Sequence, residues 1–390
     1  MDPEVESSHP PAEAPPSRTE PAAVTSESVL TEAPPPEPPF LKRVFIGQQG
    51  LRAGWSVLLF LAILTAVSVA LVTLFGALHL IPTKQRDLTA SGQFFAEFAG
   101  FLGMVGAAWI VALIERRQSI LDYNLRGPGR LSRFAVGLVV GFASLSLLVG
   151  ALDLGGWLHF GPVALSGTQI LSYATVWGGV FLLVGFFEEG LVRCFLLFTL
   201  TRGINFWWAS GLVSIMCVDL LIRAKGEGAW GIYGLAILGL LPCLALFLRK
   251  TPGAGFWYAT WVTSTFFAFG HTGNNGETWV GIFAAGAVGI VFCVSVKVTG
   301  SAWWAIGCHA AWDWAETYFY GTADSGMVAK GHYLNTSPAG EAFWSGGSDG
   351  PEGSVLVLGV LLLMLAAVLL LYRRRRPPEI PAIALQGNAN

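Results

Sequence analysis

Charge is what this sequence has least of. Lys, Arg, Asp and Glu together make up 12% of 390 residues, against about 25% in soluble proteins. With 53% hydrophobic residues beside them, an ordinary water-soluble domain is excluded, and lipid becomes the expected solvent. Also missing is a basic stripe. The 23 basic and 25 acidic residues leave a net charge of −2, so no nucleic-acid partner is indicated. Cysteine is sparse: Cys194, Cys217, Cys243, Cys293 and Cys308 lie in apolar stretches with no CxxC pair, which argues against a disulfide framework. They read as core packing. Cys308 adjoins His309 in sequence, but consecutive helix residues point about 100° apart, so the two would not face each other as nucleophile and base. An HExxH helix is absent as well, removing the familiar zinc-protease signature.

What is present is a series of long apolar runs. Residues 1 to about 40 are rich in Pro, Glu, Ser and Ala, lack the basic and apolar regions of a secretory signal, and predict a disordered tail. Beyond it, apolar segments run over about 54–81, 93–114, 133–153, 170–200, 205–222, 229–248, 255–273, 278–297, 302–320 and 354–372. A helix needs about 20 residues to cross the hydrocarbon layer, and lipid cannot satisfy bare backbone. The expected fold is therefore all-α, a polytopic transmembrane bundle of about ten spans. Its 48 glycines suit close helix approach.

The expected organisation is a tail over 1–40, N-terminal spans over 41–165, a core over 166–320, an outer loop over 321–353, and a last span with basic tail over 354–390. Lys42, Arg43 and Arg52, then Arg116, Arg117, Arg126 and Arg130, then Arg373 to Arg376 flank the spans, which places both termini in the cytoplasm. Arg223 and Lys225 fall on the opposite side in this scheme and weigh against it. In a bacterium the location would be the cytoplasmic membrane.

Ionisable groups inside apolar helices cost at least about 2.5–3.5 kcal/mol at mid-membrane and invite a functional explanation. The costliest stretch is Phe186-Phe187-Glu188-Glu189-Gly190-Leu191-Val192-Arg193. Glu189 and Arg193, at i and i+4, can pair on one face, whereas Glu188 points elsewhere. A carboxylate in low dielectric can serve as a general base for water; a structural ion pair with a spare Glu is the plainer alternative. Phe267 precedes His271 by one turn, a histidine that alone would read as packing. His309 and Asp313 share a face at i and i+4. That pair can orient an imidazole, bind a metal, or donate to an oxyanion. Glu97, Asp153 and Asp219 fit no motif and read as packing or interface positions.

Together the motifs resemble the type II CaaX prenyl endopeptidases and their bacterial relatives, the abortive-infectivity and bacteriocin-processing membrane proteases of the CPBP family. The pattern there is EExxxR, FxxxH and HxxxN or HxxxD. Here it is matched in order by Glu188-Glu189-x-x-x-Arg193, Phe267-x-x-x-His271 and His309-x-x-x-Asp313. The resemblance covers about 170–320. It implies a membrane endopeptidase acting on a membrane-associated protein or peptide, prenylated CaaX proteins among them. Glu188 would activate water with help from His271, His309 and Asp313 would bind the oxyanion or a metal, and Glu189 and Arg193 would hold the first motif in shape.

Zinc stays open, as does a metal-free mechanism; its ligands would come from Glu188, His271, His309 and Asp313. Two features depart from the family pattern. An extra pair of spans sits near 205–248, and Asp313 stands where many members have Asn, which with Glu316 one turn on favours a cation. The competing readings are a proton-coupled transporter and a non-catalytic scaffold; no second EExxxR-like copy marks the inverted repeat that carriers often show.

Overall fold

The structure is a computed structural model that describes residues 39–47, 50–81, 89–224 and 229–372. The expected disordered tail, apart from its last residues, Lys225 and the basic run Arg373 to Arg376 lie outside the described residues. Within the unit Val44–Asn390 the main elements are α1 (Ala53–Ala77), α2 (Ala90–Ile114), α3 (Arg130–Leu154), α4 (Thr168–Glu189), α5 (Phe206–Arg223), α6 (Ala229–Leu238), α7 (Leu241–Leu248), α8 (Ala254–His271), α9 (Trp279–Thr299), α10 (Trp303–Trp314) and α11 (Val357–Tyr372).

Among the described residues, seven helical segments are long and apolar enough to cross a membrane. They are Ala53–Ala77, Ala90–Ile114, Arg130–Leu154, Thr168–Thr201, Phe206–Arg223, Ala229–Leu248 and Trp279–Thr299. The other three expected spans are helices that are shorter or more polar. Two of them, α8 and α10, carry His271 and His309. α8 buries Thr260, Thr263 and Ser264, and α10 runs only from Trp303 to Trp314 before its hydrogen bonding changes. Both are enclosed by protein, which tolerates polarity that lipid would not. The expected span over 229–248 is interrupted between α6 and α7, just before Pro242, which lacks the N–H an uninterrupted helix would use.

Small residues set where α10 lies. A Cβ added to Gly137 or Gly141 of α3 would strike the backbone of Trp304 or Cys308, and one on Gly307 would strike the backbone of Phe134. On the opposite side, a Cβ added to Gly185 of α4 would lie 3.0 Å from the Ile306 carbonyl oxygen. The His309 helix is thus gripped at backbone distance by α3 and α4, the small-xxx-small mode of membrane packing. Gly141→Val is expected to destabilise by about 1–3 kcal/mol or more, the cost of overpacking, and to lower activity with it. Gly150→Ala is the control, because nothing lies within 4 Å of a Cβ there. Equal thermal midpoints for the two variants in detergent would refute this packing argument.

The segment expected to be an outer loop is built rather than loose. Leu158–Val163 (β1) follows α3 and pairs antiparallel with Leu334–Pro338 (β2), in register Leu158 to Pro338 and Phe160 to Thr336. Ala339 N–H donates to the Trp157 carbonyl at 2.8 Å, and Trp157 stacks on Trp344 at 5.2 Å between ring centroids.

Candidate active site

The first motif sits where α4 changes its hydrogen bonding. From Gly190 to Leu196 the chain takes a π-helical turn and then resumes as an α-helix over Leu197–Thr201; such turns recur at functional sites. Glu189 and Arg193 are both fully buried, and Arg193 Nη1 donates to Glu189 Oε1 at 3.0 Å. Phe267 lies 4.4 Å and Phe292 5.3 Å from the guanidinium carbon, so the charge is held by one carboxylate and two aromatic rings. Asn124 fixes the backbone by donating to the Arg193 carbonyl at 2.8 Å. Glu188 points away from this pair, its side chain 32% exposed.

His309 joins the motifs. Its Nδ1 is 2.8 Å from Glu189 Oε1. Its Nε2 faces Asp313 Oδ2 at 3.4 Å and Glu188 Oε2 at 3.8 Å. One imidazole therefore stands between the locked glutamate on one nitrogen and two cavity-facing carboxylates on the other. The Nδ1 contact orients the ring, as a supporting carboxylate does for histidines in catalytic centres.

His271 lines the same cavity as Glu188, His309 and Asp313. Its Nδ1 is 2.8 Å from the Phe267 carbonyl, so it is the N–H that donates. The side chain that faces Glu188 at ion-pair distance is His309 rather than His271.

The cavity holds about 450 Å³. Near Glu188 its walls are apolar, with Val184, Val288, Phe292 and Leu361 among them. At the loop end it is acidic, lined by Glu277, Asp324, Asp349 and Glu352. None of these four, nor Phe292 or Asn124, belongs to a motif legible in the sequence. Glu316, noted only as a charge near Asp313, proves fully buried in a second π-helical turn over Ala315–Tyr320, where Trp312 Nε1 donates to its Oε2 at 2.9 Å.

Burial, with carboxylate neighbours, shifts the loop-end acids upward. Burial and then Asp349 and Glu352 push Glu277 from 4.5 to about 9. Burial and then Glu352 raise Asp324 from 3.8 to about 7. Burial raises Asp349 to about 6, with Glu277 opposing the rise. The folded chain thus keeps protons that the unfolded chain has released, so this cluster's contribution to stability is present at low pH and is lost as pH rises. The thermal midpoint in detergent is expected to fall from pH 5 to pH 9. A midpoint that rose over that window would contradict the burial of these acids.

Any zinc here would draw on Glu188, His271, His309 and Asp313. Among the described residues these side chains are not drawn together as a three-ligand centre requires. Glu189 holds His309 Nδ1 and leaves Nε2, which faces Asp313 and Glu188, as the ring nitrogen open to a ligand. The steps proposed below are those of the chain's own residues.

Residues 240–315 match the family model described as type II CAAX prenyl endopeptidase Rce1-like. The matched stretch contains Phe267, His271, His309 and Asp313 and begins after Glu188, Glu189 and Arg193. No curated protein and no solved structure matches the chain. The family is the one the motifs resemble, and the match supports protease activity and a membrane-associated protein substrate at the family level.

Proposed function

We propose, with that family match as premise, that the chain is an intramembrane endopeptidase that hydrolyses a peptide bond in a membrane-associated protein or peptide, prenylated CaaX proteins being one class. The observation that carries the reading is the clamping of His309 between Glu189 on Nδ1 and the pair Glu188 and Asp313 on Nε2, inside one cavity.

In this reading Glu188, the only one of the two adjacent glutamates open to the cavity, takes a proton from water as the water oxygen bonds to the scissile carbonyl carbon. The carbonyl oxygen gains the negative charge, and His309, aimed by Glu189 and Asp313, donates to it from Nε2. The C–N bond then breaks, and Glu188 returns its proton to the leaving nitrogen. The products are a carboxylic acid and an amine, and passage of the acid's proton to the amine leaves carboxylate and ammonium. Excluding bulk water with apolar walls strengthens each of these electrostatic contacts.

The test uses the full chain in proteoliposomes with membrane-anchored peptides, farnesylated and not, in water enriched in oxygen-18. Cleavage that places heavy oxygen in the new C-terminal carboxylate is expected, at a rate unchanged by a strong zinc chelator. Proton-coupled flux with no cleavage would replace the peptidase reading with a carrier, and chelator-sensitive cleavage would overturn the metal-free mechanism.

A further inference from the structure

The cavity is closed at one end and open at the other. α4 lines it turn by turn from Trp177 through Val180, Phe181 and Val184 to Glu188, about 16 Å of helix at 1.5 Å per residue. Beyond Glu188 no residue of that helix reaches it, and Val192 to Leu197 are all buried in the bundle. Glu188 therefore stands on the floor. At the opposite end the walls come from connections: Thr89 caps the start of α2, Asn274 lies between α8 and α9, and Met327, Val328 and Lys330 belong to the segment after α10. Met327 and Val328 line the cavity while 55% and 64% exposed, which sets the mouth there. Among the described residues, no connection on the floor side contributes to the lining.

Basic residues gather on the floor side. Arg202 Nη2 lies 3.0 Å from Glu115 Oε1, which also accepts from the Ser56 hydroxyl at 2.5 Å, so the start of α1, the end of α2 and the chain beyond α4 meet there. The Asn124 carbonyl accepts from the Ala302 N–H at 2.8 Å, and Lys297 lies 4.5 Å from the Phe256 ring, which brings in the start of α8, the end of α9 and the start of α10. The helix ends and connections here hold Arg116, Arg117, Arg126 and Arg130, then Arg202, then Arg249 and Lys250. In the sequence Arg52 precedes α1, and Arg373 to Arg376 follow α11, which leads away from the mouth-side segment. The mouth-side ends and connections hold only Lys84, Arg86, Arg223, Lys225 and Lys330, and Arg223 is paired with Asp219. Lys and Arg are retained on the cytoplasmic side of a membrane, and acids weigh little in that choice.

We infer that the cavity opens on the extracytoplasmic side, so that its substrate is a membrane-anchored protein or peptide whose cleavable segment lies outside the cytoplasm. The inference rests on the peptidase reading for the cut and on the charge bias for the side. A segment presented there descends through the mouth at Met327 and Val328 to reach Glu188 and His309 on the floor. A CaaX tail held at the cytoplasmic leaflet meets the closed end instead, so the geometry selects against that class among the substrates the peptidase reading allows.

The first measurement reads orientation without any cleavage. All five native cysteines are buried, so single cysteines report their own positions. Met327→Cys marks the mouth, and Arg126→Cys marks the floor side, where the Arg126 side chain is 55% exposed. A membrane-impermeant maleimide added to intact cells producing the full chain is expected to label Met327→Cys and not Arg126→Cys, and inverted membrane vesicles should reverse the pattern. The second measurement follows cleavage. A sequence found to be cut in proteoliposomes is placed on a single-span anchor, either outside or inside the cytoplasm, in cells producing the wild-type chain or Glu188→Gln. Cleavage of the outer reporter is expected, with that product lost in Glu188→Gln, and the inner reporter should stay whole.

Labelling of Arg126→Cys from outside, with Met327→Cys reached only in inverted vesicles, overturns the inference and leaves the peptidase reading standing. Cleavage of the inner reporter by a chain whose Met327→Cys labels from outside also overturns it, since the bond then reaches Glu188 by another route. Outward labelling of Met327→Cys, with no peptide cut in proteoliposomes, upholds the outward mouth and removes the peptidase.

Discussion

Glu188→Gln is expected to lower kcat by about a hundred- to ten-thousand-fold, the usual contribution of a positioned general base, while leaving the fold intact. Two observations separate this glutamate from its neighbour. Glu188 is 32% exposed on its side chain and, among the described residues, has only His309 at ion-pair distance, at 3.8 Å, whereas Glu189 is fully buried on Arg193 and His309. The amide keeps the shape of the carboxylate and loses its capacity to accept a proton. Substrate binding should therefore change little, and the loss should appear in kcat. Turnover of a membrane-anchored peptide by a Glu188→Gln protein with an unshifted thermal midpoint would remove Glu188 from the chemistry.

The second large effect falls on stability. Arg193→Met leaves Glu189 fully buried without its guanidinium, and breaking a buried pair from one side costs about 3–5 kcal/mol. Phe267 and Phe292 lose the cation between them as well. Combining Arg193→Met with Glu189→Gln removes both charges and should recover most of that loss, since neutral replacement of a buried pair is often tolerated. Activity should stay low in the double variant, because His309 Nδ1 then rests on an amide instead of a carboxylate. A single Arg193→Met protein that melts like the wild type would show that the Glu189–Arg193 pair does not hold the bundle together.

The sequence revealed what was local. Glu189 and Arg193, like His309 and Asp313, are one helical turn apart, and that spacing alone makes them neighbours. The apolar runs announced the helices for the same reason. Convergence was not local: Glu189 meets His309 across 120 residues, through backbone contacts at Gly137, Gly141, Gly185 and Gly307. Glycine content hinted at such contacts, but composition does not name partners. The two π-helical turns carry no sequence signature of their own.

The acidic end was the least legible part of the site. Asp324, Asp349 and Glu352 occupy a Gly-rich stretch that reads as a solvated loop, and Glu277 lies in the connection between α8 and α9. The first three are drawn together by the Asp324–Met327 bridge, by the Gly326 N–H on the Asp349 carbonyl and by the Ser325 N–H on Glu352, contacts that apolar periodicity could not disclose. His271 ends its helix with Nδ1 held by the Phe267 carbonyl, and it is His309 that stands beside Glu188. Position along one helix does not say which side chain of another a ring will face.

The ribbon of β1 and β2 has a mechanical consequence. β1 follows directly from α3, and α3 is the helix whose glycines touch the backbone of α10. The ribbon and the helix that carries His309 are therefore both tied to α3. Strain placed on the ribbon reaches α10 through contacts with no side-chain slack, because a Cβ at Gly137 or Gly141 would already find no room there.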